Sequence, residues 1–377
     1  MSTSLPRVLV ADDQPDVLQA LRLLLTDSGF EPDLVASADA VVEKLREQSY
    51  ELLLIDLNYS RDTTSGREGL ELLSRVRAFD AGLPVVVMTG WGSIDTAVDA
   101  MRRGARSFVQ KPWDDATLLE ILQREIEEAR AARRRDEKQQ REQHEARLIQ
   151  RGLLPASFPA TPSFRIAGAW QPASGFGGDC YDALTFGTDV LGMSIADVAG
   201  KGLPAALLMS NLQAAVRAFA QDQARPRAIC ASVNRLLCLN MTSGRFVTFC
   251  YLRLDGARRV VSYANAGHNP PLLARADGRI EKLSIGGMVL GVFQDTGYDE
   301  AELPLEAGDR ILLYTDGITE ARDASGDEFG DERLAALLLE RRDLGADSLY
   351  KAVLDRVTSF ASDGFQDDAT IIVVEVL

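Results

Sequence analysis

Apolar runs of strand length in this chain repeatedly end in acids. Val8-Leu9-Val10-Ala11 leads into Asp12 and Asp13, Leu52-Leu53-Leu54-Ile55 into Asp56, the stretch Val190 to Ala196 into Asp197, and Arg310 to Tyr314 into Thr315-Asp316. A strand delivers the residue at its end to a sheet edge, so the chain is constrained to folds in which carboxylates gather at shared edges. A single Asp after a strand is ordinarily a turn residue. Four signatures in the C-terminal part read together as one site: Gly177-Gly178-Asp179, Asp197-Val198-Ala199-Gly200-Lys201-Gly202, Thr315-Asp316-Gly317 and Asp367-Asp368. Hard divalent cations such as Mg2+ and Mn2+ prefer oxygen ligands, and two ions about 4 Å apart need several carboxylates to offset their charge.

The remaining composition narrows the chemistry. His144 and His268 are the only histidines, which disfavours a zinc site built on imidazole. Cys180, Cys230, Cys238 and Cys250 form no Cys-x-x-Cys pair and read as reduced, mostly buried thiols of a cytoplasmic protein. With 377 residues, 46% of them hydrophobic, the chain can bury more than one core. Its 41 basic and 56 acidic residues give a net charge of -15, which disfavours general attraction to nucleic acid or anionic lipid. No N-terminal signal pattern and no apolar stretch of membrane-spanning length is present, so no membrane partner is expected.

The first third alternates apolar runs with amphipathic segments: Val8 to Ala11 then 15–28, Leu52 to Ile55 then 67–79, Val85 to Met88 then 94–103. This is a βα repeat with a parallel sheet. Its strand ends carry Asp12 and Asp13, Asp56, Thr89, and Lys111 before Pro112. Three carboxylates can hold one Mg2+, a lysine can neutralise a phosphoryl oxygen, and a hydroxyl can bond to an attached phosphoryl group. Residues 1–122 closely resemble the receiver domain of two-component response regulators, of flavodoxin-like doubly wound fold. The resemblance implies that a histidine kinase phosphorylates Asp56, that Asp12, Asp13, Asp56 and the Asn58 carbonyl bind Mg2+, and that Thr89 and Lys111 engage the phosphoryl group. It also implies that Phe108 is an aromatic switch residue and that Lys111-Pro112 is cis. The loop from Asn58 to Gly69, with Arg61-Asp62-Thr63-Thr64-Ser65-Gly66, is longer and more polar than the Met-Pro turn often found there.

From Thr117 to about Gln150 the pattern is helical with few breakers, and between Arg133 and Glu145 almost every residue is charged or an amide. Leu118, Leu122, Ile126 and Ala129 form one apolar stripe at its start, and Leu148, Ile149, Leu153 and Leu154 precede Pro155. A centre without apolar a and d residues is a poor coiled-coil seam, so a solvated rod and a homodimer through this helix both stay open. The linker is placed at 123–152.

After Pro155 the rhythm is that of antiparallel strands: Phe164 to Trp170, Val190 to Ala196, Phe246 to Leu254, Arg258 to Tyr263, Arg310 to Tyr314 and Ala369 to Val376. Asp255-Gly256 and Asp277-Gly278 are hairpin signals. Helical patterns fall at Leu203 to Ala220, Ala228 to Met241 and Glu332 to Arg341. This predicts an α+β layered domain over 153–377, joined to the first by the long helix.

The motifs Leu153-Leu154-Pro155, Gly177-Gly178-Asp179-Cys180-Tyr181-Asp182, Asp197 to Ala206, Asn265-Ala266-Gly267-His268-Asn269-Pro270-Pro271, Tyr314-Thr315-Asp316-Gly317 and Asp367-Asp368-Ala369-Thr370 make this domain similar to the metal-dependent 2C-type serine/threonine phosphatases in their bacterial SpoIIE-like branch, an αββα fold. By that resemblance Asp197 bridges two Mn2+ or Mg2+ ions, the Val198 carbonyl and Asp179 complete the second site, Asp316 and Asp367 hold the first, and Asp368 is a neighbour. Two metals sharing a water lower its pKa and aim it in line at phosphorus, so no enzyme nucleophile is required. Cys180 then reads as a small buried side chain and His268 as a turn residue or an orienting group. The resemblance implies a phosphoserine or phosphothreonine protein substrate, of the anti-sigma-factor antagonist kind. A catalytically silent, phosphorylation-controlled scaffold that binds a partner-switch protein is the alternative, against which the intact acid set argues. A diguanylate cyclase would leave the later acids unexplained, and a transcription activator would need a Walker A sequence or a basic recognition helix.

Overall fold

Parallel pairing dominates the N-terminal part of the computed structural model, in which residues 5–57, 67–90, 94–173, 175–220, 225–241, 244–362 and 364–377 are described. The chain divides into two units, Met1–Gln143 and His144–Leu377. In the first, β1 (Arg7–Ala11), α1 (Pro15–Asp27), β2 (Glu31–Val35), α2 (Ala38–Glu47), β3 (Leu52–Asp56), α3 (Arg67–Phe79), β4 (Val85–Thr89), α4 (Ile94–Arg102) and β5 (Ser107–Gln110) lead into α5 (Asp115–Leu153). The sheet order is β2-β1-β3-β4-β5. Its central strands are buried on both faces, which is why they read as continuous apolar runs.

Alternation along those strands feeds two cores. Leu9, Leu53, Ile55, Val85 and Val87 pack with Val41, Leu45, Leu73 and Val76 of α2 and α3. Val8, Val10, Leu52, Leu54, Val86 and Met88 pack on the opposite face with Leu21 and Leu25 of α1 and with Leu118, Leu122 and Ile126 of α5. Pro15 presets the first turn of α1, and the Ser37 hydroxyl caps α2 by accepting from Ala40 N–H. α3 begins at Arg67, where the amphipathic segment 67–79 starts; residues 58–66, which hold Asn58 and Arg61 to Gly66 of the polar loop, lie outside the described residues.

In the second unit the strands are β6 (Phe164–Gln171), β7 (Cys180–Thr185) and β8 (Val190–Val198), followed by α6 (Leu203–Phe219) and α7 (Pro226–Asn240). Then come β9 (Val247–Asp255), β10 (Val260–Ala266), β11 (Leu272–Ala274), β12 (Ile280–Lys282), β13 (Gly286–Gly287), β14 (Ala301–Pro304) and β15 (Arg310–Tyr314). The short α8 (Asp316–Thr319), α9 (Gly330–Glu340), α10 (Ala346–Phe360) and β16 (Ala369–Val376) complete it. One sheet runs β13-β10-β9-β8-β7 with β14 on β10, and the other runs β12-β11-β15-β16-β6. Pairing is antiparallel except between β10 and β13, so the first sheet is mixed.

The inner faces of the two sheets share a core that includes Leu252, Leu254, Ile311, Leu313, Ile372 and Val374 together with α6 and α7 residues Met209, Leu212, Ile229 and Val233. α9 and α10 cover the outer face of the second sheet through Leu334, Leu338, Leu349, Val353 and Val357. The layers are therefore helix, sheet, sheet, helix. Both hairpin signals lie at turns, Asp255-Gly256 between β9 and β10 and Asp277-Gly278 between β11 and β12. Arg258, expected in a strand, belongs to the first of those turns, where Arg259 adopts φ 50°.

β7 and α10 have no counterpart in the sequence reading. In β7, Asp182 is buried by a two-pronged ion pair from Arg217 of α6, at 2.6 and 3.1 Å. Among the described residues no helix is long and apolar enough to cross a membrane.

Candidate functional site

In the N-terminal unit, the parallel strands bring Asp12, Asp13, Asp56, Thr89 and Lys111 to one edge. Asp56 and Thr89 are the last residues of β3 and β4, Asp12 and Asp13 follow β1, and Lys111 follows β5. Asp12, Asp13 and Asp56 each offer a carboxylate oxygen, and these oxygens lie within 4.8 Å of one another. Lys111 Nζ donates to Asp12 Oδ2 at 2.6 Å and to Asp56 Oδ2 at 2.8 Å. Burial pulls the Lys111 ammonium down, but the hydrogen bonds and charges of Asp12 and Asp56 outweigh it and hold the pKa above its usual value. Three carboxylates crowded at one edge make an oxygen set that fits a divalent cation. Thr89 is buried beside this edge and Phe108 is half exposed. The Lys111-Pro112 peptide is cis. Asn58, the remaining expected ligand, lies outside the described residues.

The C-terminal site draws on both sheets. Asp197 sits near the end of β8 in the mixed sheet. Asp316 opens α8 directly after β15, and Asp367 precedes β16, in the other sheet. Asp179 immediately precedes β7. Burial first, then the charges of Asp316, Asp367 and Asp368, push Asp197 up to about 7. Asp316 is pushed up to about 6 by burial, Glu320 and Asp367. Asp179 is raised well above the carboxylate range by burial and by Asp197. Buried carboxylates that raise one another's pKa resist ionising unless a cation offsets them.

The most informative member is Asp179, which is only 1% exposed. Its Oδ2 accepts from Thr315 Oγ1 at 2.8 Å and from Thr370 Oγ1 at 2.5 Å. Its Oδ1 is buried with no hydrogen-bond partner. A fully buried carboxylate oxygen without a donor is costly unless something else binds it, so the donor set fits a divalent cation on that side. Gly178 allows the loop to approach: a Cβ there would stand 2.9 Å from the Val198 carbonyl oxygen and 3.1 Å from Asp197 Oδ1. That places the Val198 carbonyl and the Asp197 carboxylate beside the Asp179 loop.

Asp368 has a different occupation. Its Oδ1 accepts from Ala173 N–H at 2.9 Å and its Oδ2 from Gly178 N–H at 2.6 Å, so its carboxylate holds backbone of the Gly-Gly-Asp loop. Lys201 is exposed and bonds Asp367 Oδ2 at 2.9 Å and the Gln366 carbonyl at 2.9 Å.

His268 is a strut. Its Nε2 lies 3.1 Å from the Tyr314 carbonyl and its Nδ1 2.8 Å from Thr248 Oγ1. A carbonyl only accepts, so Nε2 carries the proton and Nδ1 accepts from the hydroxyl. Burial pushes His268 down to about 4, which keeps it neutral. Thr248 pairs with Asp197 in the strand register, and Tyr314 stands two residues before Asp316, so the ring ties together the two sheets behind the acids. Cys180 is buried, and desolvation raises its thiol far above the reactive range.

Thr315 and Thr370 received no role in the sequence reading although both lie inside quoted motifs. A hydroxyl beside an acid motif carries no periodicity, and only the folded pairing of β15 with β16 shows that both reach Asp179.

Comparison with known proteins identifies a family for each part of the chain. The response regulator receiver domain family matches residues 8–123, and the Stage II sporulation protein E (SpoIIE) family matches residues 187–377. Phosphoserine phosphatase RsbU of Bacillus subtilis (strain 168) is 30% identical over 227 residues, covering 60% of this chain and 67% of RsbU. The structure of the RsbU and RsbW domains of a Mycobacterium tuberculosis protein aligns with TM-score 0.52 and 29% identity, over 59% of this chain and 63% of that one. The SiaA-PP2C domain of Pseudomonas aeruginosa shares the fold, with TM-score 0.55 and 23% identity over 64% of this chain and 98% of that domain. The chain belongs to the SpoIIE family, with a PP2C-type phosphatase domain that follows a response regulator receiver domain.

Proposed function

We propose that this chain is a response regulator whose output is metal-dependent hydrolysis of phosphoserine or phosphothreonine on a protein, controlled by phosphorylation of Asp56. The observation that carries the reading is the buried, partnerless Oδ1 of Asp179 beside Asp197 and the Val198 carbonyl. Asp197 would be shared by two Mn2+ or Mg2+ ions, with Asp179 and the Val198 carbonyl helping to hold one and Asp316 and Asp367 the other. When bound, such a metal pair lowers the pKa of a water and offsets the charge of a phosphoryl group.

The chain's own residues prepare that chemistry. Thr315 and Thr370 hold Oδ2 of Asp179 and leave Oδ1 to turn toward a cation. Asp368 fixes the loop backbone, and His268 fixes the strands that bear Asp197 and Asp316. Neither Cys180 nor His268 is a nucleophile here, the one too desolvated and the other saturated by two hydrogen bonds.

In the receiver, Asp56 is assigned as the phosphoacceptor for a histidine kinase, with Mg2+ held by Asp12, Asp13, Asp56 and the Asn58 carbonyl. Lys111, already bonded to Asp56, and Thr89 are positioned to meet the phosphoryl oxygens. The functional divisions are assigned as 1–122, 123–152 and 153–377, in the cytoplasm, with a solvated rod and a homodimer both compatible with the charged linker helix. RsbU is named a phosphoserine phosphatase, which supports a phosphoserine substrate; the family resemblance assigns that substrate to the partner-switch class of anti-sigma-factor antagonists.

The test is Mn2+-dependent hydrolysis of a generic phosphate ester by the wild type and by Asp197→Asn, each with and without beryllofluoride as a mimic of phosphorylated Asp56. Activity that falls below about 1% in the variant and changes with the mimic is expected, since even outer-shell changes at metal sites cost about 10–100-fold. No activity under any condition favours the silent scaffold.

A further inference from the structure

Between Ala129 and Gln150 no residue of α5 is buried. Leu148 and Ile149 stand 58% and 68% exposed, yet the next residue, Gln150, is 4% exposed. A helix that leaves leucine and isoleucine in solvent and buries an amide has a polar task for that amide, because burying it without partners is costly. Gln150 Nε2 donates to the Gly177 carbonyl at 2.6 Å, and Gly177 N–H donates to Gln150 Oε1 at 3.3 Å. The side-chain amide thus pairs with the backbone of Gly177 in both directions. One helical turn earlier, Arg147 lies over the Phe176 ring at 5.5 Å. Two consecutive loop residues are held by two consecutive turns of the helix.

Those residues lead directly to the metal-site loop. Gly177 is confined, since a Cβ there would stand 2.7 Å from Asp368 Oδ2 and 2.7 Å from the Trp170 ring. Gly178 N–H bonds Asp368 Oδ2, and Asp179 follows with its unpartnered Oδ1. The helix end is itself fastened, because Gln213 of α6 donates to the Leu153 carbonyl.

We propose that Gln150 is a positioning residue for Asp179: its amide sets the Gly177 peptide, and through it the angle at which the Asp179 carboxylate faces a cation. The proposal rests on the metal-dependent phosphatase reading and names the element of that site through which a change in α5 reaches a metal ligand.

The experiment compares full-length wild type, Gln150→Leu and Gln150→Glu. Leucine keeps the helix and the buried volume but offers no hydrogen bonds. Glutamate keeps an acceptor for Gly177 N–H and loses the donor to its carbonyl. Two readouts are taken, calorimetric titration with Mn2+ and hydrogen exchange across residues 175–180.

In Gln150→Leu the weaker of two Mn2+ equilibria is expected to weaken by about 10–100-fold, the range seen when outer-shell partners of metal ligands are removed. Activity lost at limiting Mn2+ should return in excess Mn2+, an effect on metal half-saturation and not on kcat. Loop amides should exchange at least about tenfold faster. A folded Gln150→Leu protein with wild-type Mn2+ binding and wild-type loop protection overturns the proposal; if that variant fails to fold, Gln150→Glu is judged by the same criteria. Should the wild type itself bind no Mn2+, the phosphatase reading fails, and the exchange measurement alone decides whether Gln150 orders the Asp179 loop.

Discussion

Thr370 Oγ1 donates to Asp179 Oδ2 at 2.5 Å although the two residues are 191 positions apart in the chain. With Thr315, which follows β15, bonding the same oxygen, the carboxylate is fixed from the end of β15 and from β16 while its other oxygen stays bare. Replacing either threonine by valine keeps the shape and removes one donor, and at Thr315 it also removes the acceptor for Thr370 N–H. Each variant is expected to raise the Mn2+ concentration for half-maximal binding by about 10–100-fold, and together the two effects should not add, because they act on one oxygen. Calorimetric Mn2+ titration of the singles and the double checks this, and unchanged binding in both singles removes Asp179 from the metal set.

The acid cluster also sets how stability varies with pH when divalent ions are withheld. Asp197 rises from 3.8 to about 7 on folding, so between those values the folded chain keeps a proton that the unfolded chain has released. Stability contributed in this way grows as pH falls through the window. His268 acts in the opposite sense: its pKa drops from 6.5 to about 4, and the stability it contributes above 6.5 is lost as pH falls toward 4. Between pH 8 and about 6.5 the carboxylates dominate. Chelator-treated protein should therefore have a higher urea midpoint at pH 6.5 than at pH 8, and excess Mn2+ should reverse the order because protons compete for its ligands.

His268→Ala removes a partner from the half-buried hydroxyl of Thr248, which keeps only a 3.5 Å contact to the Asp197 carbonyl, and from the carbonyl of the buried Tyr314. The expected loss is about 2–4 kcal/mol, from one buried and one half-buried hydrogen bond and the cavity. Urea unfolding measures it. A loss under about 0.5 kcal/mol, typical of an unconstrained surface change, contradicts the strut assignment.

The linker makes a further prediction. α5 is a single helix from Asp115 to Leu153, carrying Leu118 and Leu122 in the receiver core and Gln150 at the Gly177 peptide. Inserting flexible glycines near Gln139 should leave both domains folded and abolish the response of phosphatase activity to beryllofluoride. A response of wild-type size in that variant excludes the continuous helix as the route.

Much of this was legible in the sequence, for reasons that differ between the units. In a parallel sheet each strand end lies at the same edge, so Asp12, Asp56, Thr89 and Lys111 could be placed together by reading where apolar runs stop. The acids of the second unit were visible as motifs, but their supports were not. β7 was hidden because its buried Asp182 reads as a loop residue until Arg217, 35 positions later, is seen to neutralise it. α10 repeats Leu349, Val353 and Val357 at helical spacing and was legible in principle. The roles of Thr315, Thr370 and Gln150 depend on tertiary hydrogen bonds, to which neither periodicity nor composition responds.

The pairing of β6 with β16 sets the order in which this domain can become competent. Arg165 lies opposite Glu375, 210 residues away, in the register that seats Thr370 beside Trp170. Closing so long a loop is slow, and the strands of the second sheet cannot present Thr370 to Asp179 until it is closed. A chain in which these ends are still unpaired therefore has its acids scattered, and the Asp179 site forms with closure of the sheet instead of growing with the chain.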